Sequence, residues 1–401
     1  MKKLIALAVA VVMLLGIFTG CQATAPVETS SEKTAEQTAS AKPSESIATV
    51  STKVEETGDV IRLEDLGYTR EGNIVTHTKS GRTIDLSGYS VALINKGMGS
   101  FWFDGIGAEA QNWADAQGSS VEFDYFPATS FTDPATQVVA RSSALAIDPD
   151  VLVDNPFDST LGNDAVAPAK EDGTFIVAVE GDDKAMPNID VFLDPYSYED
   201  LAAFSVESLV DKLGDDITVA LFTSTLTQYY HMLLCDLFYD YAAEHYPNMK
   251  FVTPKGEYFE HKNTESDARE ATKQVIQQYP DVDVLWSASS AGTLGLALGI
   301  EELGMIGQVY ACGHSRPSAS LQALESGSYI FATIHYPGAW GWAAQEAARL
   351  LLSGEEITTG TDLGIDGYRN VTVIGRHIYG DGFILLDKDT IDSVVAKYPE
   401  F

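Results

Sequence analysis

From Tyr89 onward, short apolar runs alternate with segments whose apolar residues fall three or four positions apart. The runs at 90–94, 121–126, 151–153, 175–179 and 191–193 have strand length and lack polar alternation, so they read as strands covered on both faces. A second set follows at 218–222, 251–253, 282–286, 309–312 and 330–334. Between them, 103–118, 134–146, 198–213, 265–279 and 339–353 carry the helical period. Alternating β and α units of this kind build parallel sheets. One sheet of about ten strands would satisfy the pattern, but two sheets of five or six fit the usual domain size better. No internal repeat is evident.

The chain before Tyr89 reads differently. Residues 1–21 have the form of a lipoprotein signal peptide: Lys2 and Lys3, an apolar run from Leu4 to Phe18, then Phe18-Thr19-Gly20-Cys21. That ending resembles a bacterial lipobox, which makes Cys21 the candidate lipidation site. The expected mature protein is therefore lipid-anchored at the extracytoplasmic side of the cell membrane. Residues 22–57 are rich in Ser and Thr and have no aromatic residue, the composition of a disordered tether. Residues 58–87, with Gly72-Asn73 and Ser80-Gly81 between β-rich runs, form a hairpin-like extension with no function assigned.

Composition removes several function classes. The 401 residues carry 58 Asp+Glu against 25 Lys+Arg, a formal charge of −33, so nucleic acid would meet a repelling field. Three cysteines exclude a disulfide scaffold and a Cys-rich zinc site. Cys235 and Cys312 are expected as buried free thiols. No nucleophile elbow, zinc-protease helix or P-loop pattern appears, and Asp182-Asp183 are adjacent rather than opposed, so no enzyme is expected. The sequence calls for no metal and no cofactor.

Ligands of doubly wound sheets bind beyond the carboxyl ends of the strands, and those ends carry the candidate chemistry. Lys96 and the ring-bearing Trp102 and Phe103 follow the first strand. Aromatic rings beside small polar residues suit the C–H face of a polyhydroxylated ligand. Glu180 and Asp182 follow the fourth strand and can each accept two charge-assisted hydrogen bonds. Gln228 and Tyr229 follow the sixth, Ser289 and Ser290 the eighth, and His335 the last. His231 suits a helix face as well as a site. Trp340 and Trp342, at helical spacing, read as packing residues.

The ordered set of Val91-Ala92-Leu93-Ile94, Trp102-Phe103, Ile147-Asp148-Pro149-Asp150 running into Val153-Asp154-Asn155-Pro156, Tyr279-Pro280-Asp281-Val282 and Leu324-Glu325-Ser326-Gly327 resembles the type I periplasmic sugar-binding proteins. The likeness spans about 88–401. The tail from Ile365-Asp366-Gly367-Tyr368 to Tyr398-Pro399-Glu400-Phe401 is similar to the autoinducer-2 and rhamnose receptor branch. The resemblance implies two doubly wound parallel-sheet lobes joined by a three-crossing hinge. The N-terminal lobe would hold 88–194 and about 336–364, and the C-terminal lobe 195–335 and about 365–401.

It also implies roles. Trp102 and Phe103 fall where ribose receptors place a stacking phenylalanine pair. Lys96 falls on a ligand-contacting lysine of autoinducer-2 receptors, and Glu180 on a ligand-binding aspartate of both groups. Gln228 and Tyr229 replace an arginine or an Asp-Gln pair, Ser289 replaces an asparagine, and His335 aligns with a glutamine. Ala288 and Ser290 stand where autoinducer-2 receptors have Pro and Ala. The expectation is thus a monomeric solute-binding lipoprotein that captures a monosaccharide or small polyol and delivers it to an ABC permease. The alternative is a receptor for autoinducer-2 or a sugar that reports to a membrane sensor.

Overall fold

The computed structural model describes residues 49–50, 58–99, 101–130, 133–181, 183–226 and 228–399. Cys21, the signal segment, most of the expected tether and Asp182 lie outside the described residues. The chain opens with β1 (Thr49–Val50) and β2 (Val60–Ile61), then an antiparallel sheet of β3 (Tyr68–Glu71), β4 (Ile74–His77) and β5 (Thr83–Asp85). The regular α/β pattern then runs β6 (Tyr89–Asn95), α1 (Phe101–Gln117), β7 (Val121–Pro127), α2 (Pro134–Ala146), β8 (Val151–Asp154), α3 (Ser159–Asp172), β9 (Phe175–Val179) and β10 (Val191–Asp194).

A second series follows: α4 (Tyr198–Leu213), β11 (Thr218–Thr223), α5 (Tyr229–His245), β12 (Lys250–Phe251), β13 (Phe259–Glu260) and α6 (Glu265–Gln278). It continues with β14 (Val284–Ser287), α7 (Ser290–Glu302), β15 (Tyr310–Gly313), α8 (Pro317–Ser326) and β16 (Ala332–Ile334). The chain closes with α9 (Gly338–Leu352), β17 (Ile357–Thr358), β18 (Thr372–Ile374), β19 (His377–Tyr379), β20 (Phe383–Leu386) and α10 (Ile391–Lys397).

Two separate sheets organise these elements. The first has the order β18-β19-β10-β9-β8-β6-β7, parallel except for the antiparallel β18–β19 pair. The second has the order β12-β11-β14-β15, with β13 also on β11 and every pairing parallel. A bridge from His314 to Thr333 leads on to β16, which pairs antiparallel with β20. Strands β8, β9, β10 and β14 are buried at every position, as expected where helices cover both faces of a parallel sheet. Helix starts are fixed locally: the side chains of Asp133, Ser197, Thr264 and Ser289 accept from backbone N–H groups in the first turns of α2, α4, α6 and α7.

The chain passes between the two sheets three times, after β10, after β16 and after β19. These crossings pack tightly. A Cβ on Gly380 would sit 2.3 Å from the carbonyl oxygen of Pro195, so the third crossing can touch the first only through glycine. A comparable approach joins α9 to α1, where a Cβ on Gly341 would lie 2.0 Å from the Ile106 carbonyl oxygen. That contact sets Trp340 of α9 beside Trp102 of α1.

Three placements differ from the sequence expectation. The resemblance groups residues 365–379 with the second half, yet β18 and β19 pair into the first sheet, because β19 covers the open edge of β10 in parallel register. Only from Phe383 does the tail join the second sheet. Thr49–Val50, inside the expected tether, pairs with Ile384 and Phe383 and so caps the exposed hydrogen-bonding edge of β20. Third, the sheets are unequal, with seven strands in the first.

The extension is held to the first half. The Tyr68 hydroxyl donates to the Thr174 carbonyl, Arg82 forks onto Asp148 and Asp150, and β2 pairs with β17.

Candidate functional site

The carboxyl ends of both sheets bring candidate side chains together. On the first sheet, buried Asn95 ends β6 and fixes the following turn. Its side-chain amide donates to the Phe103 carbonyl and its oxygen accepts from the Lys96 amide at 2.8 Å. Lys96 thereby reaches Glu180, with Nζ 2.9 Å from Oε2, both side chains less than one-fifth exposed. Glu180 follows β9 with φ +55°, a left-handed conformation that costs roughly 1–2 kcal/mol for a side-chain-bearing residue. Strain of that kind is typically held at functional positions. The Lys96 ammonium also faces the ring of Tyr230, 5.9 Å away at the start of α5.

Trp102 lies between the halves, packed against the core clusters of both. Its ring meets His335 at 5.0 Å, His314 at 5.8 Å and Trp340 at 5.8 Å, each near edge-on. Among the described residues, Phe103 packs against the core cluster of the first half and Phe101 against that of the second. The adjacent rings of α1 therefore divide between the two walls.

The second wall is built from imidazoles. His335 directly follows β16, is 7% exposed, and both its ring nitrogens lack a hydrogen-bond partner among the described residues. Burial holds its pKa well below the usual histidine range, with His314 adding to the effect. His314, following β15, is pushed down to about 4 by burial. His261, after β13, sits between the Ser287 and Ser289 hydroxyls at 3.2 and 3.3 Å and is likewise held at about 4 by burial. His231, in the first turn of α5, pairs with the Ser224 hydroxyl at 2.7 Å. Burial, with His261, His314 and Lys96 nearby, lowers it to about 3. All four are held below the usual histidine range and so are neutral at physiological pH. His261 is fully buried, with the Asn263 amide donating to its Nδ1, so it backs the wall while the other three imidazoles form it without net charge.

The remaining sequence candidates fall unevenly. Gln228 caps α5 through its backbone, its carbonyl accepting from the Met232 amide, and its half-buried side chain makes no cap. Tyr229 begins α5, and its side chain lies outside the described residues. Ser289 is buried, and its hydroxyl accepts from the Gly292 amide at 3.1 Å, a helix-cap role. Ser290 is the half-buried first residue of α7. Trp340 is buried, and the Trp342 indole donates to the Leu363 carbonyl, as packing residues do.

Sequence reasoning did not single out Asn155. It follows β8, is 3% exposed, and neither side-chain oxygen nor nitrogen has a partner among the described residues. Its backbone amide donates to the Ile94 carbonyl, two residues before Lys96. The Asp-Asn-Pro run at the end of a strand was the available signal. His261 had none, because β13 is too short to be read from its pattern.

Comparison with known proteins places this arrangement. Residues 91–356 match the family model described as periplasmic binding protein domain. No curated protein matches the chain. Among solved structures, a solute-binding protein from Clostridium phytofermentas with bound L-rhamnose aligns with TM-score 0.65 at 15% identity, covering 78% of this chain and 99% of that one. A sugar ABC transporter protein from Actinomyces odontolyticus gives 0.64 at 20% identity, over 77% and 98%. LsrB from Clostridium saccharobutylicum in complex with AI-2 gives 0.62 at 17%, over 76% and 99%. At these identities the likeness is one of fold. The family match covers well over half of the sequence, and the chain belongs to the periplasmic binding protein family.

Proposed function

We propose that the protein is the extracytoplasmic solute-binding component of an ABC importer, capturing a monosaccharide or similar small polyol between its two halves. The observation that carries this reading is the set of unsatisfied polar atoms at facing strand ends. Asn155 after β8 and His335 after β16 are each buried with no partner for donor or acceptor among the described residues. Buried polar groups are normally hydrogen-bonded, so such orphans point to a ligand that supplies the bonds. A hydroxyl both donates and accepts and so satisfies either residue.

Lys96 and Glu180 add a charged donor and acceptor that neutralise each other, which favours an uncharged ligand. Trp102 supplies apolar surface for the ligand's C–H bonds, with Phe103 beside it. Because the ligand touches both halves only when they close on it, binding favours closure, and the closed form is the one delivered to the permease. Bound sugars in fold neighbours, L-rhamnose and D-fucose among them, support this class of ligand. Anchoring through Cys21 would hold the domain at the membrane.

The test is to purify the protein without added sugar, denature it, and identify the released small molecule by mass spectrometry. A neutral polyhydroxylated compound at near one equivalent is expected. Release of a peptide or of a charged amino acid would overturn the reading.

A further inference from the structure

Arg316 is an exposed arginine in a chain of strongly negative charge, and it makes no ion pair among the described residues. Arg62, Arg82, Arg141, Arg269, Arg349 and Arg369 all bond carboxylates, whereas Arg70 and Arg376 also have no ion pair among the described residues, Arg376 lying over Phe192 within its own half. Arg316 instead lies over the ring of Phe101, with its guanidinium carbon 5.6 Å from the ring centre. The two residues belong to different halves. Phe101 opens α1 after the first strand of the first sheet, and Arg316 caps α8 after β15 of the second. Phe101 also packs against the second half's core cluster rather than that of its own half. Its neighbour Trp102 reaches the same segment, 5.8 Å from the His314 ring.

From this geometry we infer that Phe101 and Arg316 form a cross-cleft latch. It is a cation–π contact made only when the halves are together, and it biases the protein towards the closed arrangement before ligand arrives. The inference rests on the two-half binding reading. A contact present in one of two states shifts their ratio by its own free energy. For a cation–π pair at an exposed site this is about 2–5-fold. The latch contributes no ligand hydrogen bond. It lowers the energy of the competent state and so raises affinity for any ligand that needs closure.

The experiment measures the distance distribution across the cleft without ligand. Nitroxide labels are placed at the exposed positions Val139 of α2 and Leu226 beyond β11, each changed to cysteine. Arg316→Gln and Phe101→Leu should each move population to longer distances, by a similar amount. The double variant should move it no further, Arg316→Lys should restore most of it, and melting temperatures should stay within a degree or two of the parent. An unchanged distribution in Arg316→Gln overturns the latch. So does a shift in Arg316→Gln that Phe101→Leu does not share, because the arginine would then act through another partner. Additive shifts in the double variant overturn it as well. No sugar enters the measurement, so failure of the latch and failure of the sugar-binding reading are separate results.

Discussion

The two walls of the cleft solve the same problem with different chemistry. The first-sheet wall presents a charged pair, Lys96 and Glu180, which neutralise each other at 2.9 Å. The second-sheet wall presents His231, His314 and His335, backed by the fully buried His261, all kept neutral by burial. The contrast teaches that a site for an uncharged guest needs no uncharged residues. It needs each charge matched within its own wall, or kept from forming. It also means that the two walls fail differently: the first by loss of a partner, the second by protonation.

Breaking the charged pair should have the largest effect. Glu180→Ala removes a charged acceptor and leaves the Lys96 ammonium unmatched. Affinity for the natural ligand should fall roughly 10–100-fold, since hydrogen bonds to charged groups are worth about 1.5–3 kcal/mol. Isothermal titration reads this directly, and an unchanged Kd would place Glu180 outside the site. His335→Phe keeps the ring but removes both unsatisfied nitrogens. A smaller loss, about tenfold, is expected from the same titration.

The second wall is sharpened by acid. His261 and His314 are held at about 4 against an ordinary value of 6.5, so the unfolded chain takes up these protons first. Their contribution to stability is complete above pH 6.5 and is lost as the pH falls towards 4. At about 1.4 kcal/mol per pH unit, His261 alone accounts for roughly 3 kcal/mol across that window. Denaturant midpoints should therefore drop between pH 7 and pH 4.5, and His261→Gln should flatten the slope. A slope that His261→Gln leaves intact would assign the acid sensitivity elsewhere.

Smaller effects separate structural from ligand-facing residues. Ser289→Ala removes the cap of α7 and should lower stability by about 1 kcal/mol, read from denaturant midpoints. A change in affinity without that loss would return the hydroxyl to the site. The smallest signal is chemical: Cys235 and Cys312 are buried free thiols, so neither should react with a thiol reagent until the chain is unfolded.

The architecture was legible because parallel strands buried on both faces leave unbroken apolar runs such as Phe175–Val179. The tail was less so. The sequence of β19 does not say which sheet edge it will cover, and that pairing is set by the open edge of β10. Of the candidate site, Lys96, Glu180 and His335 are proposed from their place after strands. Ser289 shared that place, but its hydroxyl is taken by Gly292, a competition that strand-end position cannot reveal. Asn155 shows the converse, since only the absence of partners in three dimensions marks it. His261 depends on a two-residue strand that periodicity cannot resolve.

The most direct test is calorimetric titration of the protein, stripped of any carried ligand by unfolding and refolding, with a panel of pentoses, hexoses and 6-deoxyhexoses. The account predicts one-to-one binding of at least one sugar, with affinity largely lost in Glu180→Ala. Silence across the panel, or binding indifferent to Glu180, would contradict it.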